Sequence, residues 1–155
     1  MTRELRRGGI ELLESIRPLW EELNDLHAQK SPFFSDDYRA FTFELRKKTL
    51  EEKATKGKLR ISIYVERGDE IVGYCIASID GAEGEIDSVY VKKEKRHSGV
   101  GKILMEDCLE WLKENASERI KVVVVYGNEE AFAFYKKFGL FPRATTLTTL
   151  KWHTG

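Results

Sequence analysis

Arg96, His97, Ser98, Gly99, Val100, Gly101 and Lys102 form a stretch whose residue types and spacing suit an anion. It follows a run of β-branched and aromatic residues ending at Val91 and precedes an amphipathic segment containing Ile103 and Leu104. That order predicts a strand, a tight basic loop and a helix N-terminus. Gly99 and Gly101 remove side chains where the backbone enters the helix, so the first N–H groups, carrying about half a positive charge, can approach a phosphate-sized ligand. A Walker loop requires GxxxxGK followed by Ser or Thr, whereas Lys102 follows a GxG and precedes Ile103. A dinucleotide fingerprint requires a third Gly or Ala where Leu104 stands. Neither chemistry fits.

Two further groups flank this loop. Glu85 and Asp87 alternate on the preceding strand, which puts both carboxylates on one face. Such a pair can take a proton or hold a cation; as simple edge charges, the two would instead discourage strand-to-strand aggregation. Downstream, Asn128 precedes a helical stripe of Ala131, Phe134, Tyr135 and Phe138. There an amide can cap the helix, and a tyrosine is either core or a proton donor.

Arg96-x-x-Gly99-x-Gly101 and Asn128-x-x-Ala131-x-x-Phe134-Tyr135-x-x-x-Gly139-Leu140 together resemble the two signatures of the GNAT family of N-acetyltransferases, in the family's order and separated by one helix and one strand. Leu140 replaces the usual Phe, and Phe141 comes one place late. The resemblance covers about the C-terminal half of the chain. It implies an α/β fold, with a single mixed, mostly antiparallel sheet flanked by helices. It also implies acetyl-coenzyme A as co-substrate, no metal, and acetyl transfer to an amine by direct attack.

On the same resemblance, the main chain of Val89, Tyr90 and Val91 takes the pantetheine arm like an added strand. The N–H groups of His97, Ser98, Gly99, Val100, Gly101 and Lys102 take the pyrophosphate. Lys92, Lys93, Lys95 and Arg96 add positive charge, with Lys136 or Lys137 as helpers, and Asn128 joins the cofactor set. Glu85 falls where histone-acetylating members of the family carry their base, a chain of waters being the alternative. Tyr135 matches the general acid that protonates the departing thiolate. Asp87 beside Glu85 suits a cationic acceptor. Phe33, Phe34 and Tyr38 are candidate acceptor contacts, because this part of the fold walls off the acceptor site. The acceptor itself, a small-molecule or protein amine, stays open, and so does a non-catalytic acyl-coenzyme A binding module. A homodimer through Thr145 to Trp152 is an arrangement this fold allows.

The elements that must position these groups follow from pattern. A chain of 155 residues, 41% hydrophobic, suffices for one domain spanning 1–155. Lys plus Arg and Asp plus Glu both number 26, so there is no global field to draw nucleic acid or an anionic membrane. The absence of a long apolar run and of a signal peptide leads us to expect a cytoplasmic protein. Cys75 and Cys108 sit in apolar patterns without a CxxC, as buried reduced thiols do, and the histidines are too scattered for a zinc site.

A short strand is expected near Thr2–Arg6, a helix over Ile10–Gln29 with Pro18 in a first turn, and a second helix carrying Tyr38, Phe41 and Leu45, capped by Ser35 or Asp36. Strands follow at Leu59–Glu66, Ile71–Ile79 and Glu85–Val91. The next helix should bury Ile103, Leu104, Cys108, Trp111 and Leu112. Ile120–Tyr126 reads as a strand buried on both faces and parallel to Glu85–Val91. A helix over Glu129–Phe138 stops at Gly139, and Thr145–Trp152 reads as a last strand.

Overall fold

The computed structural model describes residues 3–115 and 118–150. Five strands form one sheet in sequence order: β1 (Arg3–Gly8), β2 (Lys58–Glu66), β3 (Glu70–Asp80), β4 (Glu83–Val91) and β5 (Arg119–Val122). The first three junctions are antiparallel, and only β4 and β5 run parallel. The parallel junction needs a crossover, which α4 (Val100–Glu114) supplies. No helix among the described residues is long and apolar enough to cross a membrane.

Each face of the sheet carries its own core. On one side α4 and α5 (Ala131–Lys136) cover Val72, Cys75 and Ile86 with Leu104, Met105, Cys108 and Leu112. On the other, α1 (Arg17–Lys30) and α3 (Phe43–Lys56) bring Trp20, Phe43 and Leu50 onto Ile61, Tyr74 and Ile76. The buried face of α4 is rotated from the expected one. Met105 and Leu109 are buried, while Ile103 is 40% exposed. The expected stripe counted apolar residues without knowing that α4 must meet β3 and β4 together.

The N-terminal half is more broken than its periodicity suggests. Ile10–Ile16 is a 3-10 turn, and the α-helix begins at Arg17 with Pro18 in its first turn, where a missing N–H costs nothing. The second expected helix is two: α2 (Ser35–Ala40) and α3, separated at Phe41 and Thr42. Thr42 caps α3 by accepting from the Leu45 N–H at 3.3 Å. Neither Ser35 nor Asp36 caps α2; the Ser35 hydroxyl instead donates to the Ala28 and Ser31 carbonyls, tying the loop to α1.

At the other end, β5 stops at Val122, and Val123 is 75% exposed. The run to Tyr126 is therefore not buried on both faces: among the described residues β5 is the edge strand, and its pairing ends at Val122. Thr145–Leu150 forms no strand, and Leu147 is 92% exposed; Lys151 and Trp152 lie outside the described residues. The helix expected over Glu129–Phe138 shrinks to α5, but its stop is as expected. Gly139, at φ +81°, lets its N–H reach the Lys136 carbonyl and the Leu140 N–H reach that of Tyr135.

Candidate active site

β4 and β5 pair from Glu83↔Arg119 to Ile86↔Val122 and then part. Beyond Ile86, the edge of β4 that faced β5 has no strand partner among the described residues. Asp87 shows the consequence. Its side chain is 0% exposed, yet the residue as a whole is half-exposed, so what it presents is main chain. Val89, Tyr90 and Val91 continue this edge and are also half-buried. Open strand edges offer N–H and C=O groups in a row, which suits an extended ligand carrying amides of its own.

The loop after β4 is held by its own side chains. Arg96 donates from Nε to the Val91 carbonyl at 3.1 Å and lays its guanidinium 5.2 Å from the centre of the Tyr90 ring. The Ser98 hydroxyl donates to the Lys95 carbonyl. Gly99 is the N-cap of α4 with φ +90°, a left-handed conformation that side chains resist, and a Cβ there would touch nothing within 4 Å. His97 is left-handed as well, at φ +64°. A Cβ on Gly101 would come 3.3 Å from Phe134, so this glycine lets α4 start against α5. The helix N-terminus thus faces open space. Lys95 and Lys92 are engaged with Glu66 at 3.1 Å and Glu70 at 3.5 Å, so both are held by neighbours rather than loose at the loop.

Glu85 and Asp87 do share a face, the one covered by α3. Lys53 of α3 joins them: its Nζ lies 3.0 Å from Glu85 Oε1 and donates to Asp87 Oδ1. Lys121 lies 4.0 Å from Glu85 on the β5 side. Burial pushes the Asp87 carboxyl up, against the pull of Lys53 and Ser78, and its Oδ2 is buried without a hydrogen-bond partner. Glu85 is the more accessible of the two, with its side chain 21% exposed.

Tyr135 packs on the opposite face, with the α4 core. Burial pushes its phenol well above the ordinary value of 10.0, so it stays protonated throughout the physiological range. It lines a groove of about 1590 Å³ shared with Phe33, Phe34, Tyr38 and Tyr126. Phe33 and Tyr126 stack there at 6.3 Å, while Tyr38 leans on His27 at 5.9 Å. The structure therefore brings Phe33, Phe34, Tyr38 and Tyr135 together, and it keeps Glu85 and Asp87 outside that groove, on the α3 face. Asn128 is half-buried between β5 and α5. The N-cap of α5 is Glu130, with no side-chain bond, and Asn128 contributes its carbonyl to the Ala131 N–H at 3.0 Å.

This arrangement has known counterparts. A sequence profile of the Acetyltransferase (GNAT) family matches residues 20–140. The chain belongs to this family. A putative ribosomal protein bS18-alanine N-acetyltransferase of Bacillus subtilis is 30% identical over 80 residues, 52% of this chain and 53% of the relative. The chain spans about half the length of the curated relatives it matches. Among solved structures, a mutant of the BH1408 protein from Bacillus halodurans superposes with a TM-score of 0.75 at 17% identity, covering 96% of this chain and 99% of that one. The PaiA N-acetyltransferase of Thermoplasma acidophilum, solved with coenzyme A, gives 0.67 at 18% identity, covering 89% of each chain. At such identities the structural likeness establishes the GNAT fold, with its mixed sheet flanked by helices.

Sequence reasoning missed Lys53, Arg46 and Tyr126. The first two stand in FELRKKTLEEKATK, where five cations look alike until the helix is docked on the sheet. A run free of Gly and Pro from Phe41 to Lys56 was nonetheless a signal that α3 extends to β2.

Proposed function

We propose that this GNAT chain transfers an acetyl group from acetyl-coenzyme A to an amine by direct attack, with β4 as the cofactor strand. The observation that carries the reading is the parting of β4 from β5 at Asp87, directly upstream of a loop that aims the N-terminus of a 15-residue helix at open space. The main chain of Val89, Tyr90 and Val91 would pair with the pantetheine amides. The N–H groups from His97 to Lys102 would hold the pyrophosphate, with Arg96 adding positive charge. The bound thioester supplies the electrophilic carbonyl. The opening in the sheet would give the two sides of that carbonyl different neighbours. Glu85, on the α3 face, is the proposed base for an amine whose ordinary pKa of about 10.4 leaves almost none nucleophilic at neutral pH. Tyr135, on the other face, is the proposed donor to the departing thiolate, and burial ensures that it enters the reaction protonated. Phe33, Phe34 and Tyr38 would line the acceptor's approach, and Asn128 would contact the cofactor arm near β5.

The test is thiol release from acetyl-coenzyme A with a panel of amines: a peptide N-terminus, lysine, polyamines, amino sugars and amino acids. Amine-dependent release with at least one is expected. Binding of coenzyme A without release with any amine would replace the enzyme with an acyl-coenzyme A binding module. No binding at all would remove the cofactor strand.

A further inference from the structure

The two halves of the candidate site meet at one irregularity. Along β3 and β4 the register slips: Ile76 faces Ser88, but Ala77 faces Ile86. Asp87 is thus the extra residue of a β-bulge, and its main chain has no opposite number in β3. The parallel ladder to β5 ends at the same place, with Ile86. A bulge bends its strand and sharpens the twist, so this one sets the direction in which Ser88–Val91 leaves β5.

Two cations of α3 hold the bulge. Arg46 Nη2 donates to the Asp87 carbonyl at 3.0 Å, satisfying a group the sheet leaves unpaired. Lys53, seven residues further along and so on the same face of the helix, neutralises the Asp87 carboxylate. Leu50 between them is fully buried in the core beneath, which fixes the helix against the sheet. We infer that Arg46 is a positioning residue: it pins the Asp87 bulge and thereby the course of the main chain at Val89–Val91. The functional half of this inference rests on the cofactor-strand reading above. The structural half does not. Arg46 suits the task because a guanidinium holds one N–H on the carbonyl without being drawn into the carboxylate pair beside it, which Lys53 already fills.

Arg46→Met removes the donor and keeps the stem, and Arg46→Lys offers a shorter donor. Arg17→Met is the control, because Arg17 also packs at α3, over the Phe43 ring and on Glu44, and pairs with Glu21 of its own helix. Amide hydrogen exchange on the ligand-free protein and coenzyme A affinity are the two readouts. In Arg46→Met, exchange at Tyr90 and Lys92, whose N–H groups face β3, should quicken by about tenfold or more while Ile63 and Val65 in β2 keep their rates, since opening is local. Coenzyme A should bind about tenfold more weakly, with partial recovery in Arg46→Lys. Unchanged exchange at Tyr90 and Lys92, or a rise spread evenly over the sheet and matched by Arg17→Met, would overturn the inference. If Arg46→Met fails to fold, Arg46→Lys decides by the same comparison. If the wild-type chain does not bind coenzyme A, the cofactor-strand reading falls, and exchange alone decides the pin.

Discussion

Lys53→Met should expose how much the fold depends on neutralising Asp87. The carboxylate is 0% exposed and the ammonium that meets it is 34% exposed, so the pair is buried on one side only. Removing one partner of a fully buried pair costs about 3 to 5 kcal/mol, chiefly for the charge left behind. Because Lys53 keeps a third of its surface in water, the cost falls below that range, to roughly 2 to 3 kcal/mol. For a domain of this size that lowers Tm by about 5 to 10 °C. The effect should depend on pH. Burial already holds the Asp87 carboxyl above its ordinary 3.8, and loss of Lys53 raises it further. A carboxyl whose folded value lies above its unfolded one is stabilising when protonated, so stability falls as pH rises from about 4 through the folded value. The deficit in Lys53→Met should therefore be large near pH 7 and shrink toward about pH 4. Adding Asp87→Asn should restore most of the lost Tm, because an amide cannot be stranded as a charge. Lys47→Met, which breaks an exposed pair with Glu14 at 2.7 Å, should leave Tm within error. Thermal unfolding of these four proteins across pH is the assay. A shift below about 2 °C near neutrality, or a loss that Asp87→Asn does not relieve, would refute the account of the cluster.

Three other outcomes are expected. Gly99→Ala meets open space and pays only for its left-handed backbone, about 1 kcal/mol, so coenzyme A should still protect it thermally; Gly99→Glu should lose that protection, because a carboxylate then competes for the helix N-terminus. Tyr135→Phe should lower kcat far more than it weakens acetyl-coenzyme A binding, and the wild-type rate should show no loss attributable to this phenol up to about pH 10, since burial raises its pKa. His27, pushed down to about 4 from 6.5 by burial, gains a proton more readily in the unfolded chain. Stability should consequently rise between about pH 4 and 6.5, and His27→Gln should flatten that part of the unfolding curve.

Much of the fold was legible because it depends on short-range pattern. The alternation in Leu59–Glu66 and Ile71–Ile79, the glycine-punctuated turns between strands, and the Gly139 stop all state local backbone preferences that the tertiary structure had no reason to override. The segment Val89–Gly101 was legible for the same reason, since a left-handed Gly99 opening an amphipathic helix is a local device. Errors came where a residue's role depends on what lies beside it in space. Ile120–Tyr126 has the composition of a doubly buried strand, but β5 ends the sheet and Val123 lies exposed. Met105 and Leu109, rather than Ile103, are buried, because α4 meets two strands at an angle that its own periodicity does not specify.

By itself, the sequence determined the order of the five strands, the glycine loop that opens α4, and the alternation that puts Glu85 and Asp87 on one face. Only the tertiary structure decided that Asp87 sits in a bulge, that β4 leaves β5 there, and that Arg46 and Lys53, more than 30 residues away in the chain, hold it. The physical reason is that a bulge is a mismatch between two strands. It exists only once they are paired, and the cations that satisfy it are indistinguishable from their neighbours until α3 is laid across the sheet.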